Sequence, residues 1–142
     1  MVAVRKLHVD SNVVLRYLVN DPPGMAEKAS LVFSAVADGK ISLIVEEIVI
    51  AEVTWVLQSF YRHSPKDISN SLMQLLLQEG IESPRKEFLL RALLIYGETG
   101  VKFGDALLAA HVTDSGQAEI ISFDEHFDRI PRVRRILPGE PV

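Results

Sequence analysis

The spacing of apolar positions changes along the chain, and each change marks the border between a short strand and a longer helix. Residues 5–9 (RKLHV) read as a strand. From Ser11 onward, Val14, Leu15 and Leu18 recur at helical spacing until Asn20-Asp21-Pro22-Pro23-Gly24 halts the run near Val19. MAEKASLVFSAVAD predicts a second helix that stops at Gly39. The stretch ISLIVEEIVIAEVTWVL is rich in β-branched residues but too long for one strand, so it divides into a strand over 41–44 and a helix over 46–61. Ser64-Pro65 opens a helix whose buried face is LMQLLL and which ends at Gly80; Ser83-Pro84 repeats the signal for a helix to Tyr96. Beyond Gly97–Gly100 a helix carries DALLAAHVTDSG to Gly116, AEIISF reads as a buried strand, and DEHFDRI as a helical turn. A last short strand over 135–137 precedes a tail, loose from about residue 138, that holds Pro138 and Pro141. Strands alternating with helices predict an α/β fold of three layers, a short central parallel sheet with helices on both faces. In such sheets ligands bind at the carboxyl ends of the strands. At 142 residues, with no repeat and no linker, residues 1–142 make one domain.

Four carboxylates break the apolar pattern. Asp10 follows the first strand, Glu52 is the only charged residue in IVIAEVTWVLQ, Asp105 precedes ALLAAHV, and Asp124 follows IISF. Helical spacing puts Glu52 on a stripe with Ile48, Ala51, Trp55 and Val56, and Asp105 with Leu108, Ala109 and Val112, which predicts that both acids point inward. A carboxylate removed from water takes up a proton unless a cation compensates it, and several converging carboxylates repel one another. A divalent cation would relieve that repulsion. Each acid also has a structural alternative. Asp10 could cap the helix starting at Ser11, Asp105 could be favoured by the helix dipole, and Ser122–Glu125 matches a capping box around Asp124. Glu52 has neither alternative.

Composition narrows the chemistry. The chain has no cysteine, and His8, His63, His111 and His126 lack paired zinc-ligand spacing, so a metal here should be oxygen-bound, Mg²⁺ or Mn²⁺. The net charge of −4 argues against a broad nucleic-acid footprint. Arg129, Arg132, Arg134 and Arg135, with Arg85, Lys86 and Arg91, leave room for a local phosphate-binding patch. No run is long and apolar enough for a membrane span and the N-terminus lacks a signal-peptide pattern, so the expectation is a cytoplasmic protein.

The segments VDSNVVLRYL, IAEVTWVL, GDALLAAH and ISFDEHFDRI, in this order and at this spacing, resemble the PIN-domain ribonucleases, most closely the VapC-like toxins of type II toxin-antitoxin pairs. The resemblance covers nearly the whole chain. It implies a PIN-like fold and a Mg²⁺- or Mn²⁺-dependent endoribonuclease whose acidic site is Asp10, Glu52, Asp105 and Asp124. Asn12 and Ser122 stand where the family often carries supporting polar residues, and Ser122 replaces the commoner Thr while keeping the hydroxyl. Implied partners are an RNA substrate, a small inhibitory antitoxin and a second copy of the chain, with the helices over 26–37 and 46–61 as candidate antitoxin surfaces. His126 and Asp128 are left outside the site as surface residues. Two other readings stay open. One is a catalytically silent PIN-like interaction module. The other is a haloacid-dehalogenase-like phosphatase, since HVDSNVV approaches that family's D-x-D signature, although Asn12 replaces its second Asp.

Overall fold

Parallel pairing of two short strands at the start of the chain organises the rest. The computed structural model describes residues 4–141. Strand β1 (Arg5–His8) runs parallel to β2 (Ile41–Ile44) in the register Arg5 to Ile41 through His8 to Ile44. Parallel neighbours need a crossover, and here it is made by α1 (Ser11–Val19) and α2 (Pro23–Ala37). Pro22 and Pro23 suit the start of α2 because the missing N–H is unpaired at a helix start anyway. From β2 the chain enters α3 (Glu47–Ser59), then α4 (Pro65–Leu77), where Ser64 Oγ accepts the Asp67 N–H at 3.1 Å. A third strand, β3 (Ile81–Glu82), pairs parallel with β2 through Leu43 and Ile44. The chain continues through α5 (Lys86–Thr99), α6 (Phe103–Asp114), β4 (Glu119–Ile121), a 3-10 turn over Glu125–Arg129, and β5 (Arg134–Ile136). This is the expected mixed α/β architecture with a short parallel sheet.

The structure departs from the sequence reading in four places. The strands form two parallel sheets, β1-β2-β3 and β4-β5. The second is fastened by its own charges: Arg134 Nη1 reaches Glu119 Oε2 at 3.1 Å, and Arg135 Nη1 donates to the Ser122 carbonyl at 3.1 Å. β3 was not expected. Two residues carry no readable period, and pairing with β2 alone makes them a strand. Gly97 does not break a helix; it lies inside α5, and the stop falls at Gly100 in the left-handed region (φ 71°). The tail is not wholly loose either: the Leu137 N–H donates to Glu140 Oε1 at 3.1 Å and the Glu140 N–H to the Leu137 carbonyl at 3.0 Å. Val142, at its end, lies outside the described residues.

The core fills the space between α3, α4, α5, α6 and the first sheet. Ile50, Leu57, Ile68, Leu72, Leu89, Leu93 and Ala106 are all almost fully buried. α4 and α5 approach closely because Gly97 has no side chain; a Cβ there would stand 2.7 Å from Ser69 Cβ. Ser69 is itself buried, and its hydroxyl donates to the Leu93 carbonyl across the same junction at 2.7 Å. Tyr96 is fully buried one residue earlier and donates its hydroxyl to Gln58 Oε1 at 2.5 Å, tying α5 to α3.

Two stability predictions follow from this junction. Gly97→Ala should lower stability to urea by about 1–3 kcal/mol, the usual cost of overpacking a tight contact; an unchanged midpoint would show that α4 and α5 separate freely. Burial pushes the Tyr96 phenol up to about 12 from 10.0. The unfolded chain therefore ionises first as pH rises. The stabilisation held by the neutral phenol is complete below pH 10 and lost between pH 10 and about 12. Urea midpoints across that window should fall more steeply for the wild type than for Tyr96→Phe.

Candidate active site

The carboxyl end of β1 sets the first acid. Asp10 precedes α1 with extended backbone (φ −83°, ψ 150°), and its carbonyl accepts the N–H groups of Val13 and Val14. Its side chain makes no capping hydrogen bond. Asp10 therefore occupies the capping position without using its carboxylate to cap. Ser11 Oγ lies 3.4 Å from Asp10 Oδ1 and makes a short hydrogen bond to Glu52 Oε2. Ser11 thus joins the first two acids, which are 42 positions apart in sequence, through one hydroxyl. A hydroxyl carries a single proton, so it donates to one carboxylate at a time. The short contact assigns that donation to Glu52. The family resemblance points to Asn12 and gives no reason to single out Ser11. Its only signal was position, adjacent to Asp10 and in the first turn of α1. Asn12 is exposed and lines a small cleft of about 170 Å³ with Ser11, Leu15, Glu52, Val53 and Val56.

The inward stripe expected for Glu52 is a correction. The buried residues of α3 are Val49, Ile50, Val53, Thr54 and Leu57, whereas Ile48 is 63% and Trp55 70% exposed, and Glu52 lies with them on the open face. The helix is apolar enough on both sides that spacing alone did not say which stripe meets the core. Glu52 is thus not forced out of water, and neither is Asp10, which is also exposed. The expected repulsion of dehydrated carboxylates is absent.

Asp105 stands in the first turn of α6, half-buried, and lines a different cleft with Trp55 and Lys102. Asp124 is the cap of the 3-10 turn: Oδ1 accepts the His126 N–H at 2.8 Å and lies 3.1 Å from His126 Nδ1. The cap is Asp124 itself; Ser122 Oγ accepts the Asp124 N–H at 2.9 Å, one step earlier than the capping-box pattern implies. His126, set aside as a surface residue, is therefore a direct neighbour of Asp124. Asp128 has a structural role, holding Arg135 through two contacts of 3.1 and 3.2 Å, which push the guanidinium pKa up. Among the described residues no three His, Asp or Glu side chains lie together closely enough to share a metal ion. The structure joins Asp10 to Glu52 through Ser11, sets Asp105 in a cleft with Ala51 and Trp55 of α3, and pairs Asp124 with His126.

Oxygen donors from Asp10 and Glu52, with no thiolate anywhere in the chain, fit a hard divalent cation in chemistry. The donor count reaches two carboxylates.

The basic clusters are largely engaged elsewhere. Arg85 and Arg91 both bind Asp114, at 3.5 and 2.9 Å, and Arg85 covers the Phe88 ring at 4.2 Å, tying α5 to α6. Lys86 donates to the Ile81 carbonyl at 2.5 Å. Arg134 and Arg135 are paired as described. Among the described residues, Lys102, Arg129 and Arg132 have no carboxylate within 4.0 Å.

The sequence matches the family described as PIN domain over residues 7–133. Among solved structures, one described as the crystal structure of VapBC2 from Rickettsia felis bound to a DNA fragment from their promoter aligns with 93% of this chain and 98% of that one. The identity is 17% and the TM-score 0.36. No curated protein matches the chain. No helix of the described residues is long and apolar enough to cross a membrane.

The Ser11 bridge can be tested without assuming a reaction. Ser11→Ala should lower stability to urea by about 0.5–1.5 kcal/mol, the net worth of one hydrogen bond, and Ser11→Thr should restore it. Equal loss in both variants would show that the hydroxyl does not hold Glu52 beside Asp10.

Proposed function

Because this chain belongs to the PIN domain family, matching it over residues 7–133, we propose that it is a metal-dependent endoribonuclease, the toxin of a toxin-antitoxin pair. The observation that carries the site is the convergence of Asp10 and Glu52 on Ser11 at the carboxyl end of β1, where an α/β sheet places its ligand crevice. A capping carboxylate would be engaged by backbone N–H groups; that of Asp10 is not, and it remains available to a ligand.

In this reading Asp10 and Glu52 hold Mg²⁺ or Mn²⁺, and Asp105 and Asp124 complete the acidic site from the start of α6 and the end of β4. The ion, when bound, acidifies water and offsets the negative charge that develops on a phosphodiester during hydrolysis. Ser11 fixes the Glu52 carboxylate, Ser122 supports Asp124 by accepting its N–H, and Asn12 lines the cleft beside Ser11 and Glu52. No nucleophilic side chain is required. The substrate is single-stranded or looped RNA, read by shape and splayed bases, since most arginines of both basic clusters are bound to carboxylates of the chain itself. The toxin assignment rests on the four sequence segments and their order. It entails a small antitoxin and a homodimer, for which the uncovered Leu31 on α2 and Ile48 on α3 offer apolar surface.

A silent interaction module is the second reading, and one observation favours it: the four acids do not meet in a three-carboxylate cluster among the described residues. Activity separates the two. The purified chain should cleave a structured RNA only with Mg²⁺ or Mn²⁺. Asp10→Asn and Asp105→Asn should each reduce the rate by more than the roughly 10- to 100-fold typical of outer-shell partners. Mn²⁺ should raise the melting temperature of the wild type by mass action, and Asp10→Asn should abolish that rise. Variants that cleave as the wild type does would end the nuclease reading. With four of the six arginines in the two basic clusters paired to carboxylates, log Kobs for RNA against log salt should have a slope no steeper than about −2.

A further inference from the structure

The function proposed above leaves Trp55 without a role. It is the only tryptophan of the chain, it is 70% exposed, and it sits one turn beyond Glu52 on the same open face of α3. An indole in that setting gains little by burial, since most of its surface remains in water. It forms one wall of a cleft of about 540 Å³ whose other wall is the start of α6, with Lys102, Gly104 and Asp105. That volume lies within the roughly 300–1,000 Å³ of small-ligand sites.

The lining has distinct parts. Trp55 supplies a flat aromatic surface. Lys102 supplies a cation with no carboxylate within 4.0 Å among the described residues. Gly104 opens the floor, because a Cβ added there would meet nothing within 4 Å. Gln58 has its Oε1 occupied by the Tyr96 hydroxyl, which leaves its two N–H donors for a ligand. Asp105, one of the four acids of the proposed site, also lines the cleft. A π-face, an uncompensated ammonium and amide donors around one nucleotide-sized space match a base with its phosphate. A purely apolar partner would leave Lys102 and the Gln58 amide unsatisfied.

We infer that this cleft is a nucleotide subsite, in which one unpaired base of a single-stranded RNA stacks on Trp55 while Lys102 holds a phosphate beside it. The inference rests on the ribonuclease reading and adds to it the place where the strand is gripped. Stacking requires a splayed base, so the subsite selects unpaired RNA over duplex.

The indole reports on its own occupancy. The full-length chain, with Mn²⁺ present, is titrated with a decamer of phosphorothioate-linked 2′-O-methyl nucleotides, which resists hydrolysis, while Trp55 fluorescence and the anisotropy of a labelled decamer are followed together. Quenching should saturate along the anisotropy curve. Trp55→Ala should weaken binding by about 5- to 150-fold, the range of base–aromatic stacking, and Trp55→Phe should recover part of it. In cleavage of unmodified RNA the Ala variant should raise KM with kcat little changed, and its circular dichroism should match the wild type. A decamer of abasic sugars should bind weakly and leave the fluorescence unchanged.

Binding by anisotropy with unaltered Trp55 fluorescence would overturn the subsite while leaving ribonuclease activity standing. Loss of RNA cleavage by the wild type itself would instead remove the reading beneath it. A fluorescence change that tracks protein concentration and is not displaced by the decamer would overturn the subsite too, and would assign Trp55 to contact between copies of the chain.

Discussion

The site depends on parallel pairing of β1 with β2. Because the strands run the same way, their carboxyl ends lie together, and the pairing extends past both, with the Val9 N–H on the Ile44 carbonyl at 3.2 Å. Each strand then passes directly into a helix, β1 into α1 and β2 into α3. Two helix starts are thereby held side by side. Ser11 in the first turn of one meets Glu52 in the second turn of the other for that reason, and no local sequence signal foretells it. An antiparallel pair would have sent α1 and α3 to opposite ends of the sheet and left the two acids unrelated.

Exposure then decides the energetics. Buried carboxylates would repel at short range and stay charged only beside a cation. Asp10 and Glu52 are open to water instead, and solvent screening weakens their repulsion. If the proposed site binds a cation, its affinity would depend on the geometry of Asp10 and Glu52 around Ser11 more than on relief of strain. The orientation of Ser11 matters correspondingly more than the apolar surroundings of Glu52.

What the sequence made legible followed from long periods and strong punctuation. Helices α1, α2 and α4 emerge near their observed limits because Pro22–Pro23, Ser64–Pro65 and the left-handed Asn20 and Gly39 mark their ends. Positions relative to strand ends singled out Asp10 and Asp124. Less was legible where tertiary contact decides. Gly97 reads as a breaker, yet it lies inside α5 because Ser69 of α4 comes too near for any side chain. On α3 the stripe with Ile48 and Trp55 and the stripe with Ile50 and Leu57 are equally apolar, and only the neighbouring helices choose between them. The arginines were legible as clusters, but their carboxylate partners, Asp114, Glu119 and Asp128, are found only in the fold.

That last distribution of charge shapes recognition. Arginines that bind carboxylates at 2.9–3.5 Å are committed to holding α5 to α6 and β5 to its neighbours. Drawing them to a phosphate would leave Asp114, Glu119 or Asp128 unpaired and loosen those junctions. An acidic chain arranged in this way gains little affinity from long-range attraction to a polyanion. On the proposed reading, a grip on RNA would come from short-range contacts, which require a surface that water leaves readily and a base that can reach it. The exposed face of α3, with Ile48 and Trp55 beside Glu52, offers such a surface, so under the proposed function the stripe that spacing alone would assign to the core is the one that would hold a strand against the acids.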